Sequence, residues 1–141
     1  FDETVTFAKK AKLETVQFLI LTPLPGSRQF RSFASEKRIL SNDWSKYDAF
    51  NAVFLPKKLS PYELQQGMLK AMKKFYSISS MLAWLLRGKP IVFVLQLYGF
   101  ITLHSWIRNN RKNLKGLKKD SKEIFLPEIM QAPCRRRRMS P

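Results

Sequence analysis

The predicted fold depends on one stretch of the chain, VQFLILTPLPG at residues 16–26. Its first six residues are apolar except for Gln17, so the segment does not alternate between core and water. Such a run is typical of a strand buried on both faces. Pro23 and Pro25 cannot continue a ladder of hydrogen bonds, and Gly26 tolerates backbone angles that other residues resist. The stretch therefore predicts a buried strand that ends in a tight loop after Thr22.

Helical patterns lie on both sides of this stretch. Residues 2–13 place small and apolar side chains on one stripe, with acids first and lysines last, which suits the helix dipole. Ser27 can cap a second helix that ends near Leu40. Helix, strand, loop and helix form the repeat of an α/β barrel or a doubly wound sheet, whose sites lie at the carboxyl ends of the strands.

The next segments predict a short strand and two longer helices. Residues 49–56 form the short strand, which a proline closes. Ser60, Pro61 and Glu63 form a capping box that opens a helix predicted to reach Leu86. Residues 90–107 carry no formal charge and are bracketed by basic residues. Their length of eighteen residues is borderline for a membrane span, which needs about 20. Because polar residues recur along them, we favour a packed or surface-lying helix over a span.

The charge balance is strongly basic, with 26 Lys and Arg against 10 Asp and Glu, a net charge of +16. Most of the excess lies in residues 87–141, which carry 13 basic and 3 acidic residues. Residues 113–141 are a predicted disordered tail that contains the cluster Arg135–Arg138. Such a tail attracts anionic lipid or nucleic acid without specifying which. Cys134 is the one cysteine, so no internal disulfide can form. We expect a cytoplasmic protein, and association with a membrane is the alternative.

The residues alone predict no self-sufficient active site and no metal ligands. No P-loop, GxGxxG, CxxC or HExxH pattern occurs. The one histidine, His104, lies in the apolar helix without acids or thiols spaced around it, which favours a packing role. Asp43 and Asp48 lie in a predicted loop, where turn capping is a better interpretation than a catalytic carboxylate pair.

Several motifs in order resemble the C-terminal part of radical SAM enzymes, in the branch that often carries an N-terminal cobalamin-binding domain. They are LTPLPGS at 21–27, RIL at 38–40, DWSKYD at 43–48, VFLPK at 53–57 and LSPYEL at 59–64. The resemblance covers about residues 1–80. One departure follows Gly26, where the family usually continues with Thr-Pro-Leu-Tyr and this chain has Ser-Arg-Gln-Phe.

The resemblance implies an α/β fold, the C-terminal fragment of a partial TIM-like (β/α)6 barrel, followed by long α-helices and the basic tail. Residues 1–59 would be the last part of the barrel, with Val16–Thr22 as its last regular strand, and residues 60–112 a helical extension. It also implies reductive cleavage of S-adenosylmethionine at a [4Fe–4S] cluster, with cobalamin-dependent methylation or rearrangement as the outcome. The CxxxCxxC loop that holds the cluster is not in this sequence, so we expect the fragment alone to be inactive.

By the same resemblance, the end of the strand forms the wall beside the adenine of S-adenosylmethionine, although a purely structural turn is the alternative. The residues implied at this wall are Leu21, Thr22, Pro23, Leu24 and Gly26. The residues implied on the substrate side are Trp44, Tyr47 and Asp48.

The expected partners are a small-molecule or lipid-like substrate and the N-terminal part of the same protein. The alternative function is a membrane-surface or nucleic-acid binding module that uses the basic tail, with an anionic membrane favoured over nucleic acid.

Overall fold

The computed structural model describes the backbone of residues 1–131 and the side chains of residues 1–121. This part of the chain is helical. Its elements are α1 (Asp2–Lys10), α2 (Arg28–Ser35), a 3-10 turn (Trp44–Lys46), α3 (Pro61–Phe75), α4 (Ile78–Leu86), α5 (Pro90–Asn109) and α6 (Arg111–Gln131). Within residues 1–131 no strand forms, and an isolated antiparallel bridge joins Ile39 to Phe54 where the short second strand was predicted.

The predicted α/β fold with a partial (β/α)6 barrel is therefore wrong. Residues 15–24 form neither a helix nor a strand, so the buried strand predicted to end after Thr22 is not present in the described chain. Ile20 is buried and its amide donates to Ala49 O at 2.8 Å, while Leu19 and Leu21 are 53% and 51% exposed. An apolar run alone does not supply a partner for a strand, and the neighbouring helices have already used their backbone groups within themselves.

Local signals at helix starts are confirmed. Ser60 Oγ accepts from the amide of Glu63 at 3.2 Å, and Glu63 Oε2 accepts from the amide of Ser60 at 2.8 Å, which completes the capping box. Ser27 Oγ accepts from the amide of Phe30 at 3.1 Å at the start of α2. The helix predicted from Ser60 to Leu86 is interrupted, because Ser77 caps a new helix, α4.

Replacing Glu63 by glutamine should destabilise α3 in a pH-dependent way. Hydrogen bonds from the Ser60 amide and hydroxyl lower the pKa of the Glu63 carboxyl from its ordinary value of 4.5. A carboxyl whose pKa is lowered by folding contributes stability that is present above the unfolded pKa and lost as the pH falls through the folded pKa. We therefore expect Glu63→Gln to lower the midpoint of thermal unfolding at neutral pH and to have little effect at a pH of about 3.

Circular dichroism at both pH values measures this difference, with Glu3→Gln in α1 as a control for loss of one acidic charge. An effect of Glu63→Gln that is equal at both pH values would contradict the role of its ionised form.

Helix α3 lies at the centre of the core. Its buried residues are Pro61, Gln65, Met68, Leu69, Ala71, Met72 and Phe75. Val5 and Ala8 of α1 and Leu103 of α5 belong to the same apolar cluster. Helix α6 also packs against α3, and Ser121 Oγ accepts from the amide of Tyr62 at 3.2 Å. The predicted tail thus begins as a helix, whereas Arg135–Arg138 lie outside the described residues.

Helices α4 and α5 form a hairpin. Gly88 adopts a φ of +72° in the connection, a conformation that glycine adopts without strain, and Pro90 is the first residue of α5. The uncharged segment predicted to be helical is thus α5, and it is the one described helix that is long and apolar enough to cross a membrane by length and composition.

Candidate functional site

The segment at residues 14–24, which contains the predicted strand, is held by side chains from the end of α3 and from α5 and its N-terminus. Tyr76, which follows α3, accepts from the amide of Val16 at 3.2 Å and donates to Val16 O at 2.7 Å. Gln96 of α5 donates to Glu14 O at 2.8 Å, and Lys89 forms an ion pair with the Glu14 carboxylate at 2.8 Å. These bonds take the place of a strand ladder and fix the segment against the helical core.

The segment ends in a tight turn that leads into α2. Leu24 O accepts from both the amide and the hydroxyl of Ser27, at 3.1 and 2.6 Å. Gly26 has a φ of +81°, and its carbonyl accepts from Arg31 at 2.9 Å. Because a Cβ at Gly26 would meet no atom within 4 Å, glycine is needed there for the backbone angle rather than for space.

The end of the segment combines apolar side chains with open backbone groups. Pro23 is fully buried and anchors the bend, whereas Leu21 and Leu24 are about half-exposed. In the described part of the chain, the amides of Leu21 and Thr22 donate no hydrogen bond, and the Thr22 hydroxyl donates to Ile20 O at 3.1 Å. This arrangement can contact a flat apolar ring and hydrogen-bond its edge.

An aromatic cluster lies beyond α2. The ring of Trp44 lies 6.1 Å from that of Phe30 and 4.8 Å from that of Tyr47. The Tyr47 hydroxyl donates to Ser41 O at 2.8 Å, and burial raises the pKa of that hydroxyl. Trp44 is about half-exposed and offers a ring face to solvent, so it can take part in stacking while Tyr47 supports it.

The two loop carboxylates serve the turns that contain them. Asp48 Oδ1 accepts from the amides of Phe50 and Asn51, at 2.9 and 3.0 Å. Asp43 Oδ1 accepts from the hydroxyl and the amide of Ser45, and these bonds lower the pKa of the Asp43 carboxyl. The prediction of turn capping is confirmed for both residues.

The structure contains an apolar cleft of about 500 Å³ beside residues 15–17, which was not predicted from the sequence. It lies between residues 15–17, the end of α3 and one side of α5. Its aromatic lining consists of Phe50, Tyr76, Tyr98 and Trp106. The cleft depends on how α5 packs against the segment, and no local pattern in the sequence signals that packing.

The side chains described form no metal centre. Among them, no three His, Cys, Asp or Glu residues converge. His104 is exposed, and its contacts are local to α5: Nδ1 lies 2.8 Å from Phe100 O and the ring lies 4.1 Å from the Phe100 ring. A role for this histidine in packing or at an interface stays a prediction. Cys134 lies outside the described residues.

Comparison with known proteins relates this chain to methyltransferases. It is 32% identical over 94 residues to the bacteriochlorophyllide d C-12(1)-methyltransferase of Chlorobaculum tepidum, which covers 67% of this chain and 20% of that protein. It is 32% identical over 76 residues to the bacteriochlorophyllide d C-8(2)-methyltransferase of the same organism, covering 54% and 17%. An uncharacterized methyltransferase of Pyrococcus horikoshii is 31% identical over 75 residues, covering 53% and 16%.

No family model matches the chain. No solved structure matches it either. The matched part of the chain spans about a fifth or less of the length of these curated relatives. The chain is thus similar, over one half to two thirds of its own length, to a part of methyltransferases.

Proposed function

We propose that this chain forms part of an S-adenosylmethionine-dependent methyltransferase of the radical SAM class, in the cobalamin-binding branch. The similarity to three methyltransferases supports methyl transfer. The ordered motifs between residues 21 and 64 support the radical SAM class. The observation that carries the proposal is the bend at residues 21–26, where exposed apolar side chains adjoin open amides.

At this bend the chain binds the nucleoside end of the methyl donor. Leu21 and Leu24 present apolar surface to the adenine ring, and one of the amides of Leu21 and Thr22, neither of which donates a hydrogen bond among the described residues, donates to a ring nitrogen. Pro23 and Gly26 hold the bend in shape, because one is buried and the other adopts the required φ. The contribution of this chain is therefore to bind and orient the donor.

The substrate lies on the side of Trp44 in this proposal. Its half-exposed ring can stack on a flat or lipid-like apolar molecule, and Tyr47 packs behind it. Asp48 acts as a positioning residue, because its carboxylate holds the turn at residues 48–51. Two of the relatives methylate a bacteriochlorophyllide by their names, which agrees with an apolar substrate class.

The described residues do not fit an iron–sulfur cluster, since no convergent ligand set is present among them. No step through a cluster is assigned to this chain. They offer no built site for cobalamin either, and the role of both groups in the whole protein is part of the proposal.

Equilibrium dialysis of the full-length protein with labelled S-adenosylmethionine tests the proposed function. We expect saturable binding that S-adenosylhomocysteine displaces, and formation of 5′-deoxyadenosine under strongly reducing conditions. Failure to bind S-adenosylmethionine would contradict the methyltransferase assignment. If the protein binds S-adenosylmethionine and transfers a methyl group but forms no 5′-deoxyadenosine, that result would contradict the radical class.

A further inference from the structure

Helix α5 turns an apolar stripe towards solvent. Its exposed positions recur with helical spacing, and the buried positions between them include the fully buried polar residue Gln96. The exposed apolar residues are Ile91, Val94, Leu95, Tyr98 and Ile101, of which Leu95 and Tyr98 also line the mouth of the apolar cleft described above. An ordinary surface helix exposes a polar face, whereas α5 exposes apolar residues as well as burying Val92 and Leu103.

The stripe continues onto the tip of the α4–α5 hairpin. Leu86 is 89% exposed, Ile91 is 76% exposed, and Leu85 beside them is about half-exposed. The connection between the helices contributes Arg87 and Lys89, both exposed and both packed near the Trp84 ring. Contiguous apolar surface rimmed by charge is typical of an interaction site rather than of scattered surface residues.

Charge identifies the kind of partner. Between Glu63 and Asp120 the chain has no acidic residue, but it has eleven Lys and Arg residues. Four of them bracket the stripe at its two ends, with Arg87 and Lys89 at the tip and Arg108 and Arg111 at the far end of α5. Lys89 is also paired with Glu14, so Arg87 is the cation at the tip that forms no ion pair within the described side chains. An apolar face bordered by basic groups matches an anionic lipid surface, because the acyl boundary takes the apolar side chains and the headgroups pair with the cations.

We propose that the α4–α5 hairpin docks on the surface of an anionic membrane, with Leu86 and Ile91 inserted at the acyl boundary and α5 lying along the interface. A span is disfavoured because the opposite face of α5 is already occupied. Val92, Gln96 and Leu103 are buried, Gln96 is bonded to Glu14 O, and the Trp106 ring packs 5.6 Å from that of Phe50. Crossing the membrane would require this face to leave the protein.

Flotation of the full-length protein with vesicles tests the proposal. The probes are vesicles of phosphatidylcholine alone and vesicles that also contain phosphatidylglycerol. We expect binding to the anionic vesicles, weakened by added salt because the charges are at the surface. Leu86→Glu combined with Ile91→Glu should lower the partition coefficient by about tenfold or more, because two apolar side chains no longer enter the acyl boundary.

The double variant Phe7→Glu with Leu13→Glu is the matched control. It also replaces two exposed apolar residues by glutamate, but Phe7 lies in α1 and Leu13 follows that helix, outside the α4–α5 hairpin. This control should bind anionic vesicles like the wild type, and circular dichroism checks that both variants are folded. Equal vesicle binding by the hairpin variant and the wild type would overturn the proposal.

Two other outcomes would also overturn it. A dimer that the hairpin variant dissociates, without vesicle binding by the wild type, would show that a second copy covers the stripe. Binding to polyuridylate that the hairpin variant leaves unchanged, again without vesicle binding, would assign the basic residues to nucleic acid.

Discussion

Replacement of Phe75 by alanine is expected to lower the stability of α3 by about 3–5 kcal/mol, the usual range for a phenylalanine removed from a packed core. Phe75 is 1% exposed and lies in the main apolar cluster. Its ring also meets the ring of Tyr76 edge-on, with centroids 5.1 Å apart. The substitution therefore leaves a cavity and removes support from the tyrosine that holds Val16.

Native-state hydrogen exchange of the full-length protein measures this loss, because it reports the opening free energy of α3 locally. Phe7→Ala is the matched control. Phe7 is 68% exposed on α1, so its effect should stay within about 0.5 kcal/mol. A loss below about 1 kcal/mol for Phe75→Ala would contradict the central place of α3 in the core.

The sequence predicted local structure well where a few neighbouring residues decide it. The cap at Ser27, the capping box of Ser60 and Glu63 and the bend closed by Gly26 depend on short-range hydrogen bonds or backbone angles. The turn roles of the loop aspartates were predicted for the same reason. Each of these features could be read from residues within about four positions of one another.

Whether the apolar run pairs into a sheet could not be predicted from such short-range information. The apolar run at residues 16–21 indicates an extended conformation, but a ladder also needs another extended chain beside it. In the described residues the run is instead anchored by Tyr76, which bonds to Val16 from 60 residues away in sequence, and by Gln96, which bonds to Glu14 just before the run from 82 residues away. Hydrophobicity alone does not encode such contacts.

Which face of α5 is buried and which is exposed could not be predicted from the sequence either. Polar residues along an apolar helix suggested a seam facing away from lipid, and Gln96 is indeed buried in the protein. However, the side-chain amide of Gln96 donates to Glu14 O, a contact that exists because the chain at Glu14 passes beside α5. The apolar cleft beside it arises from the same packing and could be found only in three dimensions.

The second large effect is expected at Leu21, on the proposed donor-binding bend. Fully burying a leucine side chain is worth about 1.5–3 kcal/mol. Because Leu21 is 51% exposed, contact with the donor can gain about half of that value, roughly 4- to 13-fold in a dissociation constant. Leu21→Asp replaces that contact with a charge that would need to be desolvated beside the adenine. We therefore expect the affinity for S-adenosylmethionine to fall by at least about tenfold.

Leu19→Asp is a close control for this substitution. Leu19 lies two residues earlier on the same segment and is 53% exposed, against 51% for Leu21. The two variants introduce the same charge at nearly equal exposure. A difference between them therefore reports a contact with the donor rather than general damage to the segment.

The dissociation constant of S-adenosylmethionine for the wild type, Leu19→Asp and Leu21→Asp full-length proteins is the most direct test that the bend binds the methyl donor. We predict near wild-type affinity for Leu19→Asp and a loss of about tenfold or more for Leu21→Asp. Equal affinities for all three proteins would show that the donor binds elsewhere.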